Sequence, residues 1–228
     1  MFRFLKNLNK FMNQFRKGNG MEAFPEFYEH TTDIINPSSN LKGNFTTIKG
    51  ITVHYTADTK QQRVIDVLEK KGLKYHFLIN HRGEVVQIAP LTHYVFHAGK
   101  SEWNGATPNQ HHIAIALLSW GFVTKDNFDR FTSWSGEPVD QHRVKMRTGN
   151  VPKTSGMYWD AATPSQESAL VDLCIWCCQH GILPENICGH DECCIPPGRK
   201  LDPGGVLSIP MTKFRALIQE RLKNNRVV

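Results

Sequence analysis

The sequence has no apolar run long enough to cross a membrane. Its 228 residues are 40% hydrophobic and 21% charged, and no stretch approaches the ~20 consecutive apolar residues of a membrane-spanning helix. Internal repeats and low-complexity tracts are also missing. These absences leave an ordinary globular chain, long enough for one good core and an appendage.

Acidic residues are missing from the first 20 positions. The basic residues there are Arg3, Lys6, Lys10, Arg16 and Lys17. The remainder of the chain has 22 basic and 21 acidic residues, although the whole chain carries a formal charge of +6. Because the chain after residue 20 is nearly neutral, it lacks the excess of basic residues that favours nucleic-acid binding. No nucleic-acid partner is therefore expected.

Residues 1–20 are predicted to form a basic amphipathic helix that ends at Gly18-Asn19-Gly20. Its apolar stripe consists of Phe4, Leu5, Leu8, Phe11, Met12 and Phe15. Lys6 and Lys10 interrupt any apolar core of a signal peptide, so none is expected. Two interpretations stay open: the helix packs on the domain, or it attaches to an anionic membrane or lipopolysaccharide surface.

The rest of the chain is predicted to be an α/β domain with a central mixed sheet flanked by helices. Residues 21–47 are interpreted as a connecting segment and residues 48–223 as the domain. Strands are predicted near 50–55, 74–80, 84–89 and 112–118, and helices near 60–71, 165–180 and 210–223. The stretch 119–162 is too long for a simple connecting loop. Its length predicts an ordered insertion that forms a wall of a substrate groove.

Three residues of metal-ligand type are spread along this domain. They are His54, at the end of the first predicted strand, and His190 and Asp202, which share a later loop. Two imidazoles and one carboxylate leave one open position on a tetrahedral Zn²⁺, as in catalytic rather than structural zinc sites. Scattered His and Asp residues prove little alone, so the choice of these three as candidate ligands depends on the segments that surround them.

Six cysteines lie in the last quarter of the chain. Cys174 and Cys177 fall on the apolar stripe of the helix predicted over 165–180, which favours buried core thiols over redox or metal chemistry. A disulfide or a second zinc site among the others stays open, and Cys193 is an alternative third ligand. These other cysteines are Cys178, Cys188, Cys193 and Cys194.

Five segments resemble, in the same order, the motifs of the type 2 N-acetylmuramoyl-L-alanine amidases, which are zinc enzymes that cut peptidoglycan. The segments are 51–57, 75–79 with 82–87, 96–99, 113–117 and 190–204, so the resemblance covers roughly residues 48–220. It implies a hydrolase of the bond between N-acetylmuramic acid and L-alanine, and a monomer is expected. His54, His190 and Asp202 match the family's zinc ligands.

The resemblance also implies roles for four other side chains. Tyr75 matches a tyrosine at the zinc that orients water or transfers a proton, and its strand is predicted to turn Tyr75, Phe77 and Ile79 to one face. Lys200 would stabilise the charge on the carbonyl oxygen. His97 and Trp103 are expected to bind the substrate.

One departure from the family separates its branches. The muropeptide-recycling branch carries a catalytic glutamate where this chain has Ala116, and a methyl group cannot accept a proton. The chain is therefore most similar to the phage lysozyme branch, in which a tyrosine and a lysine take the catalytic roles. We expect an endolysin that is made in the host cytoplasm without a signal peptide and acts on the periplasmic wall after release.

Two other classes of function stay open. A non-catalytic peptidoglycan-binding module would keep the groove and lose zinc ligands, and the presence of all three candidate ligands counts against it. A membrane-disrupting protein would act through residues 1–20 and use the domain only for targeting.

Overall fold

The computed structural model describes residues 24–224. The strands are β1 (Asp33–Ile34), β2 (Gly43–Asn44), β3 (Gly50–Tyr55), β4 (Phe77–Ile79), β5 (Val85–Gln87), β6 (His93–Tyr94), β7 (His112–Leu117), β8 (Phe122–Lys125), β9 (Phe131–Thr132), β10 (Pro138–Val139), β11 (Val144–Arg147), β12 (Met157–Asp160) and β13 (Ile187–Gly189). The helices are α1 (Gln61–Lys70), α2 (Pro108–His111), α3 (Pro164–Gln179), α4 (His190–Cys193) and α5 (Met211–Asn224). The predicted helix over residues 1–20 lies outside the described range and stays a prediction.

A six-stranded mixed sheet forms the centre of the fold, with the strand order β1-β5-β4-β7-β3-β13. β4 and β5 are antiparallel, and the other neighbouring pairs are parallel. β3 and β7 lie inside the sheet and are buried along almost their whole length, as expected for apolar parallel strands covered on both faces. The predicted mixed α/β architecture with flanking helices is confirmed.

Alternate residues of the central strands point into two separate cores. On one face, Ile51, Val53 and Ile115 pack with residues of α3 and α5. On the other face, Leu78 and Ala116 pack with residues of α1. Side chains alternate along a strand, so the residue after Val53, which is His54, lies on the α1 face.

Helix α3 starts at Pro164, one residue before the predicted range of 165–180. The Thr163 hydroxyl accepts the backbone N–H of Gln166 (3.1 Å), and the Gln166 side chain accepts the backbone N–H of Thr163 (3.1 Å). This capping box satisfies two N–H groups that a helix start leaves free. None of the described helices has both the length and the apolarity of a membrane span.

The strand predicted over residues 74–80 is shorter in the structure and starts at Phe77. The chain bends at His76, where the ring Nδ1 accepts the backbone N–H of Ala114 (2.9 Å). Beyond the bend Phe77 faces the α3 core, whereas Tyr75 packs on the α1 side. The prediction that Tyr75 and Phe77 share a face is therefore wrong, because the bend interrupts the alternation.

The stretch interpreted as a connecting segment, 21–47, adds strands to the fold. β1 is an edge strand of the central sheet and runs parallel to β5, while β2 pairs with β6. Tyr28 lies in the main core and meets Phe77 edge to face, with ring centroids 6.0 Å apart. The turn residues of segment 21–47 do not indicate these short strands, because each strand forms only by pairing with residues far along the chain.

Residues 119–162 form a second sheet, with the strand order β10-β9-β8-β12-β11 and antiparallel pairs throughout. We call these residues the insertion. Trp120 and Trp159 are buried, and the Trp159 ring lies directly against Gly204 and Gly205. The insertion therefore packs against the loop that carries Asp202.

The described structure contains the six cysteines as free thiols. Cys174 and Cys177 are buried in the main core, which confirms the prediction of core thiols. The Cys193 sulfur lies 3.7 Å from the backbone oxygen of His190. Among the described residues, the side-chain group that could hold a metal ion includes no cysteine, so Cys193 does not replace Asp202.

Candidate metal centre

The three candidate ligands meet at one edge of the central sheet. The Nδ1 atoms of His54 and His190 lie 2.7 Å and 2.9 Å from the same carboxylate oxygen, Oδ2 of Asp202. One ligand atom from each residue lies within 4.8 Å of the other two. The side chains are almost completely buried.

The sheet topology explains why residues far apart in the chain meet here. β3 and β13 are parallel neighbours with Val53 opposite Gly189, so the next residues, His54 and His190, emerge at the same edge. The backbone N–H of Asp191 then donates to the backbone oxygen of Asp202 (2.7 Å), which holds the later loop against the start of α4.

The outer ring nitrogens fix the tautomers of both ligand histidines. His190 Nε2 donates to the backbone oxygen of Ala98 (2.8 Å). His97 Nε2 donates to the backbone oxygen of Pro108 (3.2 Å), which leaves Nδ1 of His97 to accept from Nε2 of His54 (3.0 Å). In the neutral rings, both Nδ1 atoms therefore carry lone pairs that face Asp202.

This donor set fits a divalent cation. Burial lowers the pKa of His54 to about 4, so its ring is neutral near pH 7. Burial alone would raise the pKa of Asp202, but positive charge on the adjacent histidine rings holds it well below its usual range. With both rings neutral, a bound cation would supply that positive charge and keep the carboxylate ionised. Two lone pairs and an anionic oxygen in one buried cluster repel each other unless a cation lies between them. Two nitrogens and one carboxylate oxygen suit Zn²⁺ with one position open.

Tyr75 lies beside the cluster, with its ring centroid 5.0 Å from that of His54. Burial, and then the charge of Asp202, raise the pKa of Tyr75 well above its usual value. The phenol therefore keeps its proton, and its ring packs beside that of His54 as a neutral group. This arrangement agrees with the position that the resemblance implies.

Lys200 is half-buried in the loop that carries Asp202. It is close enough for its positive charge to contribute to the lowered pKa of His54, although burial is the larger cause. The structure thus brings Lys200 into the electrostatic neighbourhood of the cluster.

His97 occupies a different place from the predicted substrate-binding one. It is only 7% exposed, and both ring nitrogens have partners inside the protein, His54 and Pro108. The backbone N–H groups of His97 and Ala98 donate to the Asn109 side-chain oxygen (2.9 and 2.8 Å), which fixes the loop. His97 therefore supports and orients His54.

Trp103 also departs from the predicted substrate-binding role. Its indole N–H donates to the backbone oxygen of Glu185 (3.0 Å), and the Arg215 guanidinium lies 5.3 Å from the ring centroid. Glu185 precedes β13, whereas His190 follows it, so these contacts lie at the opposite end of that strand from the cluster. The surrounding loop has no periodicity from which the direction of the ring could be predicted.

Asn150 is a supporting residue that the sequence reading missed. Its side-chain N–H donates to Oδ2 of Asp191 (2.9 Å), directly after the ligand His190. Arg147 donates to the backbone oxygens of Gly205 (3.3 Å) and Val206 (3.1 Å). The insertion thus forms hydrogen bonds to both chain segments that carry the cluster. Such contacts cannot be predicted from the spacing of residues in the sequence.

Replacing His97 by alanine is expected to weaken zinc binding about 10- to 100-fold, the usual cost of losing a partner that orients a metal ligand. The physical reason is that His54 Nε2 loses its acceptor, and the ring is no longer held in one orientation. Zinc affinity, measured by competition with a chromophoric chelator, checks this. The exposed His142→Ala is the matched control. Unchanged affinity in His97→Ala would show that His97 does not orient His54.

The chain has similar relatives of known name. AmiD of Escherichia coli (strain K12), an N-acetylmuramoyl-L-alanine amidase, is 27% identical over 183 residues, which are 76% of this chain and 53% of AmiD. The chain therefore spans about half the length of this relative. A solved complex of E. coli AmiD with anhydro-N-acetylmuramic acid-L-Ala-D-gamma-Glu-L-Lys is 26% identical, with a TM-score of 0.54 over 75% of this chain and 57% of that chain.

Two further solved structures share the fold at lower identity. A selenomethionine derivative of AmpD has a TM-score of 0.53 at 19% identity and covers 86% of this chain and 99% of its own. The amidase LysC from Clostridium intestinale has a TM-score of 0.51 at 16% identity and covers 82% of this chain and 95% of its own.

The family assignment rests on a match over most of the chain. The model of the N-acetylmuramoyl-L-alanine amidase family, type 2, matches residues 44–205. That range contains five of the six strands of the central sheet, the insertion and the three residues of the metal cluster. The chain therefore belongs to the type 2 N-acetylmuramoyl-L-alanine amidase family.

Proposed function

We propose that this protein is a zinc-dependent hydrolase that cleaves the amide bond between N-acetylmuramic acid and L-alanine in peptidoglycan. The observation that carries the proposal is the convergence of His54, His190 and Asp202 on one point beside Tyr75. Family membership supports it, as does the muramoyl peptide named as substrate in the AmiD complex.

The residues of the cluster divide the chemistry of amide hydrolysis between them. A bound zinc ion lowers the pKa of water to about 7 and polarises a carbonyl group. His54, His190 and Asp202 would hold the ion, and His97 fixes the ring of His54. The Tyr75 hydroxyl orients the attacking water or transfers its proton. Lys200 stabilises the negative charge that develops on the carbonyl oxygen in the transition state.

Ala116 supports the version of this chemistry that relies on Tyr75 and Lys200. In the parallel pairing of β3 and β7, Ala116 is the register partner of His54, and it is fully buried. A carboxylate at this position would lie next to the metal ligand, but the methyl group can neither accept a proton nor hold water. The chemistry at the water therefore falls to Tyr75, and stabilisation of the carbonyl oxygen falls to Lys200.

We propose further that the protein is a phage endolysin that lyses bacteria by acting on the wall in the periplasm. The alanine at position 116 supports this role, because the resemblance places a glutamate there in the recycling branch. The basic segment 1–20 suits a protein that must reach a wall close to anionic lipid or lipopolysaccharide.

Zinc removal tests the proposed chemistry directly. Treatment with a strong chelator is expected to abolish release of the stem peptide from peptidoglycan, and stoichiometric Zn²⁺ is expected to restore it. Circular dichroism before and after chelation serves as the control for loss of fold. Full activity of a verified metal-free protein would contradict the zinc-dependent mechanism.

Deletion of residues 1–20 is expected to spare hydrolysis of isolated peptidoglycan and to weaken binding to anionic vesicles. Each basic residue near such a surface contributes about 1 kcal/mol, and added salt screens the attraction. Co-sedimentation with anionic vesicles at low and high salt measures the effect.

The competing interpretation predicts the reverse for the same two proteins. If the helix packs on the domain, deletion lowers the melting temperature because an apolar patch is uncovered, and neither form binds vesicles. A deletion that costs stability without changing vesicle binding would exclude the surface-binding role.

A further inference from the structure

The insertion presents one large aromatic side chain to solvent near the metal cluster. Trp134 is 68% exposed, whereas Trp120 and Trp159 of the same insertion are buried. Its indole N–H donates to the backbone oxygen of Ala57 (2.8 Å). Ala57 comes three residues after His54, and three residues span at most about 10 Å of chain.

The turn that carries Trp134 is held on both sides. At its base the backbone N–H of Ser133 donates to the backbone oxygen of Glu137 (2.9 Å), and the N–H of Glu137 donates to the Ser133 hydroxyl (3.1 Å). Arg63 then joins Glu137 (3.3 Å) to Asp58, the residue after Ala57. The ring is therefore fixed to the segment that follows the strand of His54.

The chemistry of this surface indicates what would bind there. The only polar atom of the indole is used inside the protein, so the exposed part of Trp134 offers an apolar π face. Around it lie the charged and hydroxyl groups of Asp58, Arg63, Ser135 and Glu137. A pyranose ring matches both features, because one side carries C–H groups and the rim carries hydroxyls. The acidic groups disfavour an anionic lipid.

We propose that Trp134 is a stacking platform for the glycan strand of peptidoglycan, next to the muramoyl unit whose amide bond is cut. The inference rests on the proposed function for its substrate class. The glycan stacks on the ring while the stem peptide reaches the metal cluster. Because the ring is already oriented, little conformational entropy is lost on binding. This platform favours polymeric wall over single-sugar muropeptides.

The test compares a polymeric and a single-sugar substrate. For Trp134→Ala, the ratio of kcat/KM on purified sacculi to kcat/KM on N-acetylmuramoyl tripeptide is expected to fall roughly 3- to 10-fold, the range for losing one aromatic stacking contact. Trp134→Phe keeps an aromatic face and is expected to fall between Trp134→Ala and wild type. Phe128→Ala is the matched control, because Phe128 is 78% exposed at the opposite end of the β8–β9 hairpin.

Binding of a peptide-free glycan separates this proposal from the proposed function. Calorimetry with a soluble hexamer of β-1,4-linked N-acetylglucosamine is expected to show binding by the wild type and by Phe128→Ala, and weaker binding by Trp134→Ala. Wild-type protein that cuts neither substrate would refute the amidase function and leave this readout intact. Hexamer binding that is absent from the wild type, or equal in Trp134→Ala, would overturn the platform, as would an unchanged substrate ratio.

Discussion

Alanine in place of His54, His190 or Asp202 is expected to abolish peptidoglycan hydrolysis while the fold persists. Each of these side chains supplies one of the three atoms that meet in the buried cluster. A site that loses one of three protein ligands no longer holds zinc in the geometry that leaves a single open position. The measurements are turnover on purified sacculi and zinc content by elemental mass spectrometry.

The controls for this prediction separate metal loss from misfolding. His142→Ala removes an exposed histidine and should keep both activity and zinc. Circular dichroism of each ligand variant should match that of the wild type. If His54→Ala kept near-normal activity with stoichiometric metal, the ligand assignment would be wrong.

Lys200→Ala is expected to reduce turnover by about 10²- to 10³-fold, the usual loss when one group that stabilises the transition state is removed. Zinc content should stay unchanged, because Lys200 is not among the three metal-binding side chains. Tyr75→Phe is expected to cause a similar loss, since it keeps the ring against His54 and removes only the hydroxyl. Steady-state kinetics together with zinc analysis test both substitutions.

Matched variants show whether these losses are specific. Lys213→Ala removes an exposed lysine of α5, and Tyr94→Phe removes the hydroxyl of a half-buried tyrosine whose ring packs on Phe45 and Phe96. Both should retain wild-type turnover. Unaltered turnover in Lys200→Ala and Tyr75→Phe would leave the metal as the sole catalytic element and would remove the proposed roles of these residues.

The parts of the fold that depend on local pattern could be predicted from the sequence. The apolar run of β3 and the apolar stripe of α3 are local, because hydrophobic periodicity depends on neighbouring residues. His54, His190 and Asp202 could be named as a set because the segments around them resemble the motifs of the family, whereas residue types alone do not distinguish them from the other histidines and acidic residues.

The contacts that failed to follow from the sequence are tertiary. His97 meets His54 across 43 positions, and nothing in the spacing distinguishes a ring that binds substrate from one that supports a ligand. The bend before β4 depends on the hydrogen bond between the His76 ring and a neighbouring strand, so a period-two pattern assigned Tyr75 to the wrong face. Trp103 was expected to bind the substrate, whereas its contacts with Glu185 and Arg215 set the direction of its ring.

The most direct test of the central claim is to identify the bond that the protein cuts. Purified sacculi are digested with the zinc-loaded wild type, and the soluble products are analysed by mass spectrometry, with His54→Ala as the control. The account predicts free stem peptides that begin with L-alanine, glycan strands with unsubstituted N-acetylmuramic acid, and no such products from His54→Ala. New reducing sugar ends, or new amino termini within the stem peptide, would contradict it.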